Sequence, residues 1–216
     1  MNIRKIYHKY NIPPNLQLHM LRVAAVGYYI AQNIETKNID VEVIIKTLLL
    51  HDMGNIIKFD FSNTAILGEE KNRIEYWKKV QSDFIQKYDA DEHTATESIA
   101  KELGVDNYII YIISNRGSSH IHSVLNSNDW NLKISSYADF RVDPFGVVSV
   151  DKRFDDIKAR YKKSTHVLSN IKKTKEKRRS CLLLEKQIQR VVSFDLNDID
   201  NKVIEPVQKM MEDYAI

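Results

Sequence analysis

Leu48-Leu49-Leu50 run straight into His51 and Asp52. An apolar helix that finishes in an imidazole and a carboxylate carries both toward the core, where a carboxylate is too costly unless it is paired or bound to a cation. His19 lies 32 residues before His51, in the apolar stripe of another helix, and Asp139 lies 87 residues after Asp52, in "SSYADFRV". Together His19, His51, Asp52 and Asp139 offer a divalent ion of borderline hardness two imidazoles and two carboxylates: neutral imidazole supplies a lone pair, and the cation favours the ionised carboxylate. Each residue alone has an ordinary explanation, as a core histidine, a chance pair or a helix-surface acid. The joint arrangement is what points to metal chemistry, since helix bundles build such sites from side chains projecting inward.

The elements that must position these groups read as helices. Pro13-Pro14-Asn15 starts one that runs to about Ile34, with Leu16, His19, Met20, Val23, Gly27, Ile30 and Ile34 at helical spacing. Asp40 is of N-cap type for a second helix that ends at His51, before Gly54-Asn55. "NRIEYWKKVQSDFIQKY" has helical spacing, and Asp89 or Asp91 can cap "EHTATESIAKEL", which Gly104 closes. "VDNYIIYIIS" suits a buried helix, with a strand as the alternative that its β-branched content allows. Residues 115–130 read as a loop, "NLKISSYADFRV" as a helix, and Asp143-Pro144-Phe145-Gly146 as a turn. Ser149 then caps a helix carrying Phe154, Ile157, Tyr161 and Leu168, and two more helices follow over about 176–192 and 199–214.

The 216 residues suit one domain with a full core, and 6 Gly and 4 Pro are too few for a many-turned β fold. The expected fold is all-α, with residues 1–168 as the main helical domain and 169–216 as a C-terminal helical extension packed on it. One cysteine, Cys181, excludes an internal disulfide and a thiolate zinc site, and fits a reducing cytoplasmic compartment. The N-terminus has no apolar core long enough for a signal peptide, and no apolar stretch approaches the ~20 residues of a membrane span. Net charge is +3, yet ten basic residues stand against Glu176 alone between Lys158 and Arg179. That run reads as a solvated face, with attraction for phosphate-rich partners as the sharper alternative. No aromatic residue interleaves "KKTKEKRR", so specific nucleic-acid recognition is not expected.

The pattern His…His-Asp…Asp, carried by "LHMLRVA", "LLHDMGN" and "SSYADFRV", resembles the HD superfamily of metal-dependent phosphohydrolases over about residues 15–165. The resemblance implies that His19, His51, Asp52 and Asp139 hold one divalent ion (Mn, Fe, Co, Ni, Zn or Mg). It further implies that His93, in "DADEHTATES", and His120 or His122, in "SSHIHS", are candidates for a second. Some members place Glu or Lys three residues after the pair's Asp; here Asn55 stands there, and a neutral amide cannot act as a general base.

The activity implied is hydrolysis of a phosphate ester or anhydride of a nucleotide or other small phosphorylated metabolite, with Asp52 and His51 catalytic. Arg22, Lys58, Arg141 and Arg153 are candidates to balance phosphate charge, Arg22 and Arg141 equally as partners of the ligands. A nucleotide- or RNA-binding sensor on the same scaffold, with little turnover, is the competing expectation, favoured by Asn55 and the basic run. A purely structural helical protein leaves a buried Asp52 without a reason. A homodimer is compatible with the sequence.

Overall fold

A computed structural model describes residues 1–35, 37–62, 64–160 and 167–216. Among them the chain is all-α, with no strand beyond two isolated bridges, Asn2 with Ala215 and Val142 with Val147. The helices are α1 (Ile3–Lys9), α2 (Pro14–Ala31), α3 (Val41–Leu50), α4 (Ile74–Tyr88), α5 (Glu92–Glu102), α6 (Asn107–Asn115), α7 (Ile121–Asn126), α8 (Trp130–Phe140), α9 (Val150–Arg160), α10 (Val167–Gln189) and α11 (Asn201–Met211). Short 3-10 turns occupy Asn55–Lys58, Thr64–Arg73 and Leu196–Asp198. No helix is long and apolar enough to cross a membrane among the described residues.

Capping follows the residue types. Asp40, Asp91, Asp106 and Asp129 accept from the first-turn amides of Val43, Thr94, Tyr108 and Leu132, satisfying donors that a helix start leaves open. "VDNYIIYIIS" is the helix α6, burying Ile109, Ile112 and Ile113 at helical and not alternating spacing. The loop expected over 115–130 contains α7, because Ile121 and Val124 turn into the core together. The helix expected from Ser149 through Leu168 stops as α9 at Arg160. Tyr161, with Lys162 and Lys163 of the basic run, lies outside the described residues, and Leu168 belongs to α10. Of the rest of that run, Arg178 pairs with Asp151 at 2.7 Å and Asp155 at 3.4 Å, a helix-to-helix ion pair on α9 and α10.

Helices α2, α3 and α8 pack mutually and form the centre. Glycine at 27 is what lets α2 and α3 close up, since a Cβ there would run into Leu48 Cδ1 and sit 3.2 Å from Ile44 Cγ2. Around this centre the buried apolar residues form one core from Ile3 and Ile6 through Leu184 and Ile188 to Met211. The chain ends meet, with the Ile3 amide donating to the Tyr214 carbonyl at 2.9 Å, and α11 lies along α2.

Arg141, at the C-terminal end of α8, joins that centre to the C-terminal segment. Only 2% exposed, its guanidinium donates to the carbonyls of Val148 at 2.6 Å, Leu196 at 2.7 Å and Ile199 at 3.1 Å, and to the Tyr137 hydroxyl at 2.8 Å. This corrects the expectation that Arg141 binds substrate: its donors are spent on buried acceptors and face no open surface.

Two substitutions test this packing. A Cβ at Gly54 would sit 2.7 Å from Ala95 Cβ and 2.9 Å from the Thr96 amide nitrogen, and closer still to the Glu92 carbonyl oxygen, so α5 would have to move away. Gly54→Ala should therefore cost about 1–3 kcal/mol, read as a lowered urea midpoint. Arg141→Met would remove the guanidinium's bonds to three carbonyls and to the Tyr137 hydroxyl, at about 1–3 kcal/mol for each acceptor left unsatisfied, against a total stability of about 5–15 kcal/mol. It should lower the midpoint further than Gly54→Ala, or leave no cooperative transition in circular dichroism.

Candidate metal centre

Helix α3 delivers His51 and Asp52 by ending inside the protein. Asp40 fixes its start, Ile44, Leu48, Leu49 and Leu50 bury its sides, and His51 is the C-cap residue of a turn that continues to Gly54. A buried helix end must find partners for its last carbonyls. Here the His51 Nδ1–H donates to the Leu48 carbonyl at 2.6 Å, and the Tyr7 hydroxyl donates to that of Leu49 at 2.7 Å. The Met53 amide takes that of Leu50 at 3.3 Å, and Arg116 Nη2 that of His51 at 2.9 Å.

The first of these bonds has a chemical result. A carbonyl can only accept, so Nδ1 carries a proton and Nε2 is the ring nitrogen left to face the cluster. That Nε2 is buried and has no hydrogen-bond partner. It faces Asp52 Oδ2 at 3.6 Å and Asp139 Oδ1 at 3.7 Å. His19, from α2, sets its own Nε2 3.7 Å from Asp52 Oδ2 and 3.3 Å from Asp139 Oδ1, with the two imidazole centroids 5.5 Å apart. The donor atoms of His19, His51 and Asp139 all lie within 4.8 Å of one another, the one such group among the described residues. Two ligands each about 2.0–2.2 Å from a shared ion stand about 3.0–3.5 Å apart. The spacing here is therefore close to that of ligands around one ion, and the unpartnered Nε2 is the atom such an ion would satisfy. The residues fit a divalent metal.

The electrostatics agree. Burial pushes the His19 imidazole toward its neutral, ligating form, against the pull of the Asp139 and Asp52 carboxylates. Burial would raise Asp139, but the facing His19 and His51 rings and the Arg116 guanidinium hold it well below the usual carboxylate range. Burial works likewise against Asp52, where His51 and Arg116 prevail and hold it low. Both carboxylates are about four-fifths buried, and both are charged at neutral pH.

Arg116 is the residue that sequence reasoning missed. It follows α6, is 8% exposed, and donates through Nη1 to Asp139 Oδ2 at 2.9 Å and through Nη2 to Asp52 Oδ1 at 3.1 Å. The signal available was its place at the end of the apolar "YIIYIIS", the same kind of place that His51 holds after its leucines.

The other expected residues lie elsewhere. His93 has a side chain 71% exposed beside Glu92, on the first turn of α5, and falls outside the cluster. His120 falls outside it too, at the start of α7, and His122 Nδ1 meets the Ser180 hydroxyl at 3.0 Å. The expectation of a second ion on His93 and His120 is thus not met by their positions: one histidine points to solvent and the other belongs to a helix start. Lys58 pairs with Glu92 at 3.1 Å, and Arg153 with Asp156 at 3.3 Å on its own helix. Arg22, one turn beyond His19 on α2, reaches the Pro144 carbonyl at 3.5 Å. Asn55 opens the 3-10 turn that follows the pair.

The HD domain family model matches residues 17–121, which include His19, His51, Asp52 and Arg116; Asp139 lies beyond the match and joins the cluster through the packing of α8 on α2 and α3. No curated protein and no solved structure matches the chain. HD domains bind divalent metal ions, and the match over residues 17–121 of this all-helical chain supports its placement in the HD superfamily.

Proposed function

We propose that this protein is a metal-dependent phosphohydrolase that cleaves a phosphate ester or anhydride of a nucleotide or other small phosphorylated metabolite. The observation that carries the proposal is His51 Nε2, buried, unpartnered and facing two carboxylates and a second imidazole. The HD family is one of metal-dependent hydrolases in general, which gives such a site its reaction class.

His19, His51, Asp52 and Asp139 would hold the ion. A bound divalent ion supplies Lewis acidity, lowering the pKa of water from about 15.7 to about 7 and polarising a phosphoryl oxygen. The protein's part is positional. The Leu48 carbonyl fixes the tautomer and the plane of His51. Arg116 fixes the rotation of both carboxylates. Asp52, which stands outside the tight group of His19, His51 and Asp139, would both hold the ion through Oδ2 and orient the attacking water beside it. Arg22, on the same helix as His19, bonded to the Pro144 carbonyl at 3.5 Å and attracted by the Asp143 carboxylate, is the cation we assign to the substrate phosphate.

A sensor that binds a nucleotide with little turnover is the second reading. It rests on Asn55, which puts a neutral amide where some members carry an ionisable side chain.

His51→Ala and Asp139→Asn should each weaken binding of Mn²⁺ or Co²⁺ by at least about 100-fold in calorimetric titration, while helical circular dichroism is kept. Chelation should end phosphate release, and returning the ion should restore it.

Asp52→Ala and Asp52→Asn should leave a folded protein with phosphate release reduced at least about 1000-fold, assayed on nucleotides and generic phosphate esters with Mn, Co, Ni, Mg or Zn. Wild-type hydrolysis by Asp52→Ala with metal present would defeat the phosphohydrolase reading. A wild type that binds metal and a nucleotide yet releases no phosphate would favour the sensor.

A further inference from the structure

We propose that Arg116 is a positioning residue that makes this a one-ion site. The inference rests on the metal-binding reading above and goes beyond it. The four carboxylate oxygens are sorted. Asp52 Oδ1 and Asp139 Oδ2 belong to Arg116, at 3.1 and 2.9 Å. Asp52 Oδ2 and Asp139 Oδ1 are left for the two imidazoles, at 3.3–3.7 Å. A planar guanidinium whose two terminal nitrogens reach two different carboxylates, with Nη2 also on the His51 carbonyl, fixes both carboxylate rotations at once.

Two consequences follow from that sorting. Each aspartate can offer the metal one oxygen and no more. A second ion bridged to the first would need the oxygens that Arg116 holds, and would have to enter where a fixed positive charge already sits. The local charge follows as well. Two carboxylates against one guanidinium leave these three groups a single negative charge, which attracts a divalent cation; with that cation bound they would be singly positive and attract a phosphate. A buried lysine could supply the charge but not the fork, since an ammonium on a flexible stem does not fix two carboxylate planes.

The test is Mn²⁺ titration of the full chain, read by metal analysis and by electron paramagnetic resonance, which distinguishes an isolated ion from a coupled pair. Wild type should bind one ion per chain with an uncoupled signal. Arg116→Gln and Arg116→Ala, checked for folding by circular dichroism, should take up a second ion with a coupled signal. Arg116→Lys should keep one ion, bound at least about 10-fold more weakly. Two coupled ions in the wild type would overturn the inference while leaving the metal reading intact, and that measurement stands even where the neutral variants fail to fold. One ion of unchanged affinity in folded Arg116→Gln or Arg116→Ala would overturn it too. No ion in the wild type would overturn the metal reading and this inference with it.

Discussion

A helix that ends in the middle of a protein must have its last carbonyls bonded there, because no water does it. Helix α3 meets this demand with Tyr7 from α1, Arg116 from the end of α6, and its own His51. The same three side chains prepare the site. His51 spends Nδ1 on the helix and so frees Nε2 for the cluster. Arg116 spends one bond on the His51 carbonyl and two on the carboxylates. Tyr7 stays a neutral donor, since burial first, and then the Asp52 charge, push its hydroxyl well above the usual tyrosine range. Closing the helix and orienting the ligands are one piece of chemistry.

The legible part of this site is the part written in helical periodicity. His19 sits in the stripe of α2, His51 and Asp52 stand where an apolar run stops, and the packing of α8 on α2 and α3 brings Asp139 to them. The all-helical character was legible for the same reason, down to the aspartate caps of α3 and α5. The misreadings share a cause as well. Position beside a motif does not say where a side chain points. His93 begins a helix after an acidic turn but projects to solvent. Arg141 stands two residues from Asp139, and residues two apart on a helix do not share a face, so it turns away from the cluster to the C-terminal segment. Arg116 was marked only by its place at the end of an apolar run, because its burial depends on α3, α6 and α8 meeting, and they are far apart in sequence.

The strand alternative for "VDNYIIYIIS" shows the limit of composition. Five of its residues are isoleucine or valine, which favour strands, yet Asp106 caps it as a helix and three isoleucines at helical spacing bury one side. Spacing decided where residue type could not.

Arg141 has a wider consequence. Helix α8 carries Asp139 on one side and, through Arg141, grips the Leu196 and Ile199 carbonyls on another. The C-terminal segment therefore cannot fray without releasing the end of the helix that positions a ligand. An ion that binds only the folded state at 100 times its dissociation constant adds about 2.7 kcal/mol to folding. Through Arg141 that stabilisation would reach the segment that leads into the last helix, and the rate at which a protease nicks residues near Leu196 would gauge metal occupancy at a centre it never touches.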